Sequence, residues 1–336
     1  MTTLTLYSFS LLLLCSSLFS EVLTVYSYRH YESDVALFNQ FTEQTGIEVE
    51  VVKSKAGALL ERLKAEGDQT PADILISSDA GRLHQARAAG LLEPVQSELL
   101  ESRVPANLRD TEGHWFGFTQ RARVIVYDPD RVNADELSTY ENLANPNWRG
   151  RIVVRSSSNV YNQSLLASII EREGVTGATQ WATAVRKNMA RPPQGSDRDQ
   201  MRAVAAGLAD VAIVNTYYLG LLEKSDDKKD RDVAAQLKIF FPNQEGRGTH
   251  VNVSGAGVVA GSDNVEGAQK LLEFLITNEA QSIFPSATYE YPVVASVEWP
   301  ALQKKWGEFK SDPIALTRLG ELNAEAIRCF NKAGWE

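Results

Sequence analysis

Residues 211–222 read VAIVNTYYLGLL. The apolar, β-branched run 211–214 predicts a buried strand, and the leucines from Leu219 to Leu222 open a helix. A strand turning directly into a helix is one step of an α/β alternation, and the step recurs in both directions along the chain. Upstream, 151–155 reads as a strand, the polar turn 156–159 follows, and Leu165, Leu166, Ile169 and Ile170 mark a helix. Residues 204–208 close another helix just before the quoted strand. Near the start, a strand at 22–26 precedes a helix on Leu37, Phe38 and Phe41, with its cap at Ser33 or Asp34. A strand at 47–52, a helix on Leu59, Leu60 and Leu63, a strand at 72–76 and an Ala- and Arg-rich helix ending near Gly90 complete that unit. The pattern predicts an α/β fold with parallel strands and helices on the sheet faces.

The chain has 336 residues, more than one ordinary core holds and suited to two lobes. Two stretches near 119–126 and 244–253 lack helical periodicity and are suited to joining lobes. The expected division is lobe 1 from 21–119 plus about 250–290, and lobe 2 from 120–249 plus about 291–336, with a ligand cleft between them. A formal net charge of −9 excludes a nucleic-acid-binding surface, which needs excess basic charge. The only cysteines, Cys15 and Cys329, exclude a disulfide scaffold and a cysteine-rich metal centre. Residues 1–20 carry no charged side chain, and the apolar run 11–14 with Phe9, Leu18 and Phe19 has signal-peptide length rather than membrane-span length. The expectation is a signal peptide at 1–20 and a soluble, periplasmic mature chain.

Enzyme signatures are missing: there is no HExxH, GxxxxGK[ST], GxSxG or CxxC. Gly255, Gly257 and Ala260 match the spacing of a dinucleotide fingerprint, but they lie in the apolar alternation 251–259 and read as strand. The hydrophilic run 223–232 reads as a solvated surface. Three places differ. His30 and Tyr31 follow the first strand, Tyr161 follows the strand and turn at 151–159, and Tyr217 and Tyr218 follow the strand at 211–214. Ligands of open α/β sheets bind beyond the carboxyl ends of strands, which is where all three places lie. A tyrosine there is ordinarily a packing residue, so the reading rests on their convergence. Phenolates are hard anionic donors that need a strongly charged cation to ionise, a chemistry that suits Fe³⁺ better than zinc, calcium or magnesium. A sugar site lined by stacked rings competes with that reading.

At these residues the sequence resembles the ferric-iron-binding periplasmic proteins of ABC transporters, within the class II solute-binding fold. The likeness runs from about Val22 to the C-terminus through TVYSYRHYESD, ADILISSDAGRL, WFGFTQRARVIVYDP, NPNWRGRIVVRSSSNVYNQS and ADVAIVNTYYLG. It is closest to the tyrosine-rich subgroup typical of cyanobacterial iron uptake. The resemblance implies a two-lobed periplasmic-binding-protein-like fold, with His30, Tyr31, Tyr161, Tyr217 and Tyr218 as ligands to transported Fe³⁺. It implies Arg121 as a cation standing behind the tyrosinates, with a hinge salt bridge as its alternative role. Arg29 and Arg155 are left outside the expected site. Because Tyr161 directly follows the serine-rich turn, no synergistic anion is expected. The implied partners are ferric iron or small ferric complexes and an inner-membrane ABC permease, with the carrier a monomer and not an enzyme. The alternatives are a carrier for an organic solute or oxyanion, and a mononuclear iron enzyme.

Overall fold

Apolar β-branched runs form strands and runs of helical period form helices, in the order that the hydrophobic pattern predicts. The computed structural model describes residues 21–29 and 31–336, so the expected signal peptide and His30 lie outside the described residues. Among these, the chain begins β1 (Val22–Ser27), α1 (Glu32–Thr45), β2 (Glu48–Lys53), α2 (Ala56–Glu66), β3 (Ile74–Ser77), α3 (Ala80–Ala88), β4 (Leu92–Glu93) and α4 (Glu98–Arg103). The middle holds β5 (Phe116–Tyr127), β6 (Ile152–Val153), α5 (Val160–Asn188), α6 (Asp197–Ala205), β7 (Val211–Asn215), α7 (Thr216–Glu223), α8 (Lys228–Gln236) and β8 (Lys238–Phe240). After these come β9 (Val251–Val259), α9 (Val265–Leu275), α10 (Asn278–Thr288), β10 (Tyr291–Pro292), α11 (Ala301–Trp306), α12 (Thr317–Glu321) and α13 (Asn323–Ala333). No described helix is long and apolar enough to cross a membrane.

The strand order is β2-β1-β3-β9-β5-β7-β6. β1 runs parallel to β2 and β3, and β6 parallel to β7. β9 is antiparallel to both β3 and β5, and β5 is antiparallel to β7, so the sheet is mixed rather than parallel throughout. Parallel neighbours need a crossover helix, whereas β5 and β9 are entered through turns without an α-helix. The first part of β5 pairs with β9, and Arg123–Tyr127 pairs with β7. One 12-residue strand is thus shared by two strand groups, each cased in helices, which is a two-lobed α/β arrangement. Gly255 and Gly257 lie in β9, as the alternation predicts. A Cβ on Gly255 would stand 2.7 Å from the Phe116 carbonyl oxygen, and one on Gly257 would collide with that of His114.

Local boundaries depart from the sequence reading where side chains have other work. Tyr31, rather than Ser33 or Asp34, is the N-cap of α1 and makes no side-chain capping bond. Asp34 is held instead by Arg29, whose Nε lies 3.1 Å from its carboxylate. The strand expected over 151–155 is only Ile152–Val153, because the Arg155 carbonyl turns to accept from Asn162 Nδ2 at 2.8 Å. Both later helices start earlier than their apolar residues announce. α5 begins at Val160, its first turn capped by Asn159 Oδ1, which accepts from the Tyr161 N–H at 3.0 Å. α7 begins at Thr216, so Tyr217 and Tyr218 lie in its first turn rather than before it.

Candidate metal centre

Tyr31, Tyr161, Tyr217 and Tyr218 each stem from the first turn or cap of a helix that follows a strand or a strand-led turn. The unpaired N–H groups there carry partial positive charge, which favours negative charge on nearby groups. The structure brings the four phenols together. The hydroxyls of Tyr161 and Tyr217 lie 3.2 Å apart, and the rings of Tyr217 and Tyr218 have centroids 4.2 Å apart. Tyr31 joins them: charge on Tyr161 or Tyr218 raises its pKa, and charge on Tyr31 raises that of Tyr217. Tyr217 is buried, and the other three are half-buried. His30, the expected fifth ligand, lies outside the described residues.

Burial is the main force holding Tyr31, Tyr161 and Tyr217 above the ordinary phenol range, and the neighbouring phenols add to it. Arginines oppose that shift. The Arg29 guanidinium lies 4.6 Å from the Tyr31 ring centroid, and that of Arg121 lies 5.3 Å from the Tyr161 centroid. Arg155 and Arg123 approach the same Tyr161 ring at 5.6 and 5.8 Å, and Arg155 also faces Tyr218. Arg121 is buried and donates from Nη2 to the Ser78 carbonyl, while its Nε and Nη1 make no hydrogen bond. A cavity of about 10 Å³ beneath Tyr161, room for one water, is lined by Arg121, Arg123, Asn215, His250 and Asn252.

Arg121 stands where the resemblance implies, Arg29 and Arg155 stand against the tyrosines although the expectation leaves them outside the site, and Arg123 is a cation that the motifs do not announce. Arg29 and Arg155 lie inside the motifs YRHY and RSSSNVY, so their adjacency to Tyr31 and Tyr161 was an available signal. Arg123 pairs with Asp197 at 2.6 Å and donates from Nη2 to Asn162 Oδ1 at 2.7 Å. Glu290 pairs with Arg29 at 2.6 Å, a contact between residues 261 positions apart that no local pattern announces. Among the described residues, no cluster of three or more His, Cys, Asp or Glu is placed to hold a metal. What the arrangement offers is several hard oxygen donors that become anionic once a strongly polarising cation displaces their protons.

Residues 69–308 match the model of the bacterial extracellular solute-binding protein family, and the chain belongs to that family. It is 49% identical to Iron uptake protein A1 of Synechocystis sp. over 94% of its own length and 88% of the relative's. It is 28% identical to the Major ferric iron-binding protein of Neisseria meningitidis, covering 93% of this chain and 92% of that one. A solved structure described as Trichodesmium IdiA (FutA) in complex with iron and citrate ligands superposes with a TM-score of 0.92 at 49% identity. That likeness covers 94% of this chain and all of the other. The two-lobed, class II binding-protein fold and the resemblance read from the motifs are both borne out.

Proposed function

We propose that this chain is a periplasmic carrier that captures Fe³⁺ between its lobes and delivers it to an ABC permease. Tyr31, Tyr161, Tyr217 and Tyr218, with His30, are its ligands. The observation that carries the reading is the gathering of four phenols from three helix starts, with the Tyr161 and Tyr217 hydroxyls 3.2 Å apart. The names of the relatives support iron as the cargo and its ferric state. Tyr31, Tyr161 and Tyr217, held protonated by burial, ionise only for a cation that repays the desolvation, and three phenolates cancel the charge of Fe³⁺. The helix starts and Arg121 favour those anions. Five protein ligands leave at most one place on an octahedral ion, which a water fills, so the shell requires no synergistic anion. The site is complete within one chain, and the carrier acts as a monomer.

The lobes divide near residues 119 and 250 and again near 290, so that Tyr31 comes from one side of the cleft and the other tyrosines from the opposite side. Closure over the cargo then produces a shape that a permease distinguishes from the empty, open form. Ferric loading of the protein is expected to produce a visible tyrosinate-to-iron charge-transfer band at one iron per chain. A colourless, loaded protein would overturn the ligand set. Stoichiometric citrate or carbonate retained with the iron would replace the anion-free shell.

A further inference from the structure

Behind the tyrosines lies a buried cluster of two guanidiniums and two carboxylates: Arg29, Arg121, Asp34 and Glu290. The formal charges of these four cancel, and the buried Asp79 carboxylate also acts on Arg121. Asp34 reaches Arg29, whereas Glu290 reaches both arginines. Its Oε2 takes Arg29 Nη1 at 2.6 Å and the Thr119 hydroxyl at 2.7 Å, and its Oε1 lies 3.9 Å from Arg121 Nη1. Arg29 stands over the Tyr31 ring, and Arg121 stands over Tyr161 and acts on Tyr217. Glu290 is fixed between α10 and β10 just after Tyr289, whose φ of 59° turns the chain out of the helix. One carboxylate therefore faces the cations on both sides of the phenol cluster.

Exchanging three phenol protons for Fe³⁺ leaves the charge of the site unchanged, whereas the same exchange for Fe²⁺ lowers it by one. A net charge behind the phenols consequently acts on the ferrous complex and leaves the ferric one nearly untouched. Positive background charge favours Fe²⁺, and negative background charge disfavours it. On the iron reading above, we propose that Glu290 raises the preference for ferric over ferrous iron by placing one negative charge against both Arg29 and Arg121. It is a positioning and charge-setting residue and does not touch the metal.

The test compares the unsubstituted chain with Glu290→Gln, Arg29→Gln and Thr119→Val by ferric and ferrous affinity and by the midpoint potential of bound iron. Glu290→Gln is expected to lower the ferric-to-ferrous affinity ratio by about tenfold or more, a rise of about 59 mV per tenfold for one electron. Arg29→Gln, which removes one positive charge from the background, is expected to move the ratio the other way. Thr119→Val, which removes a hydrogen bond and no charge, is expected to leave it in place. If Glu290→Gln does not fold, the opposite-signed shift of Arg29→Gln still decides the matter. A charge-transfer band in the unsubstituted chain with an unmoved ratio in both charge variants overturns the role of Glu290 alone. Absence of the band in the unsubstituted chain overturns the iron reading and the role of Glu290 with it.

Discussion

Tyr217 is the most buried of the four phenols and touches two others, so it is the side chain whose loss should matter most. Tyr217→Phe together with Tyr218→Phe should remove the charge-transfer band. It should also weaken iron binding by far more than the ~100-fold typical of losing a supporting partner, measured by competition with a ferric chelator. The rings remain, so the melting temperature should change little. On the proposed ligand set, protons compete with iron for the same oxygens. With three phenols deprotonated on binding, log affinity should climb by about three per pH unit below the phenol range, and acidification should release iron. The empty protein should show the complementary effect. Burial raises the pKa values of Tyr31, Tyr161 and Tyr217 in the folded state, so stability is intact below the unfolded value of about 10 and is lost as pH rises through the folded values. Alkaline melts of the empty protein test that sign.

Helix starts are the elements that place the phenols, and their geometry is only partly legible from sequence. Strand–helix alternation is a local hydrophobic signal, so β1, β6, β7 and the helices after them are readable, and with them the placing of Tyr31, Tyr161 and Tyr217 beyond strand ends. The first turn of α7 was not, because the start of that helix is set by Asn215, whose side chain accepts from Arg123 at 3.2 Å instead of capping. Arg29 with Glu290 was illegible for a different reason: its partners meet only after the whole sheet has formed. Asn159 gives an element-scale test. Its Oδ1 caps α5 at the Tyr161 N–H. Asn159→Ala should cost about 1 kcal/mol of stability in chemical denaturation and loosen the Tyr161 phenol, lowering iron affinity as well.

At the scale of the whole molecule, Asp79 ties the two strand groups together over the site. It accepts from Asn252 Nδ2 on β9 at 2.8 Å and from the Ser164 hydroxyl on α5 at 3.1 Å, and it caps α3. Losing one hydrogen bond to a buried carboxylate costs about 1.5–3 kcal/mol. Ser164→Ala should therefore speed iron release to a chelator by about tenfold or more, followed by loss of the visible band. The interleaved strand order has a further consequence during synthesis. β9 fills the place between β3 and β5, so a nascent chain shorter than about 259 residues holds β1 to β3 beside a missing neighbour. The N-terminal half must wait, unpaired along one edge, while more than a hundred later residues are made. A chain that cannot finish folding early stays threadable, and cutting the gene between the two halves would yield two fragments of which neither has a whole sheet.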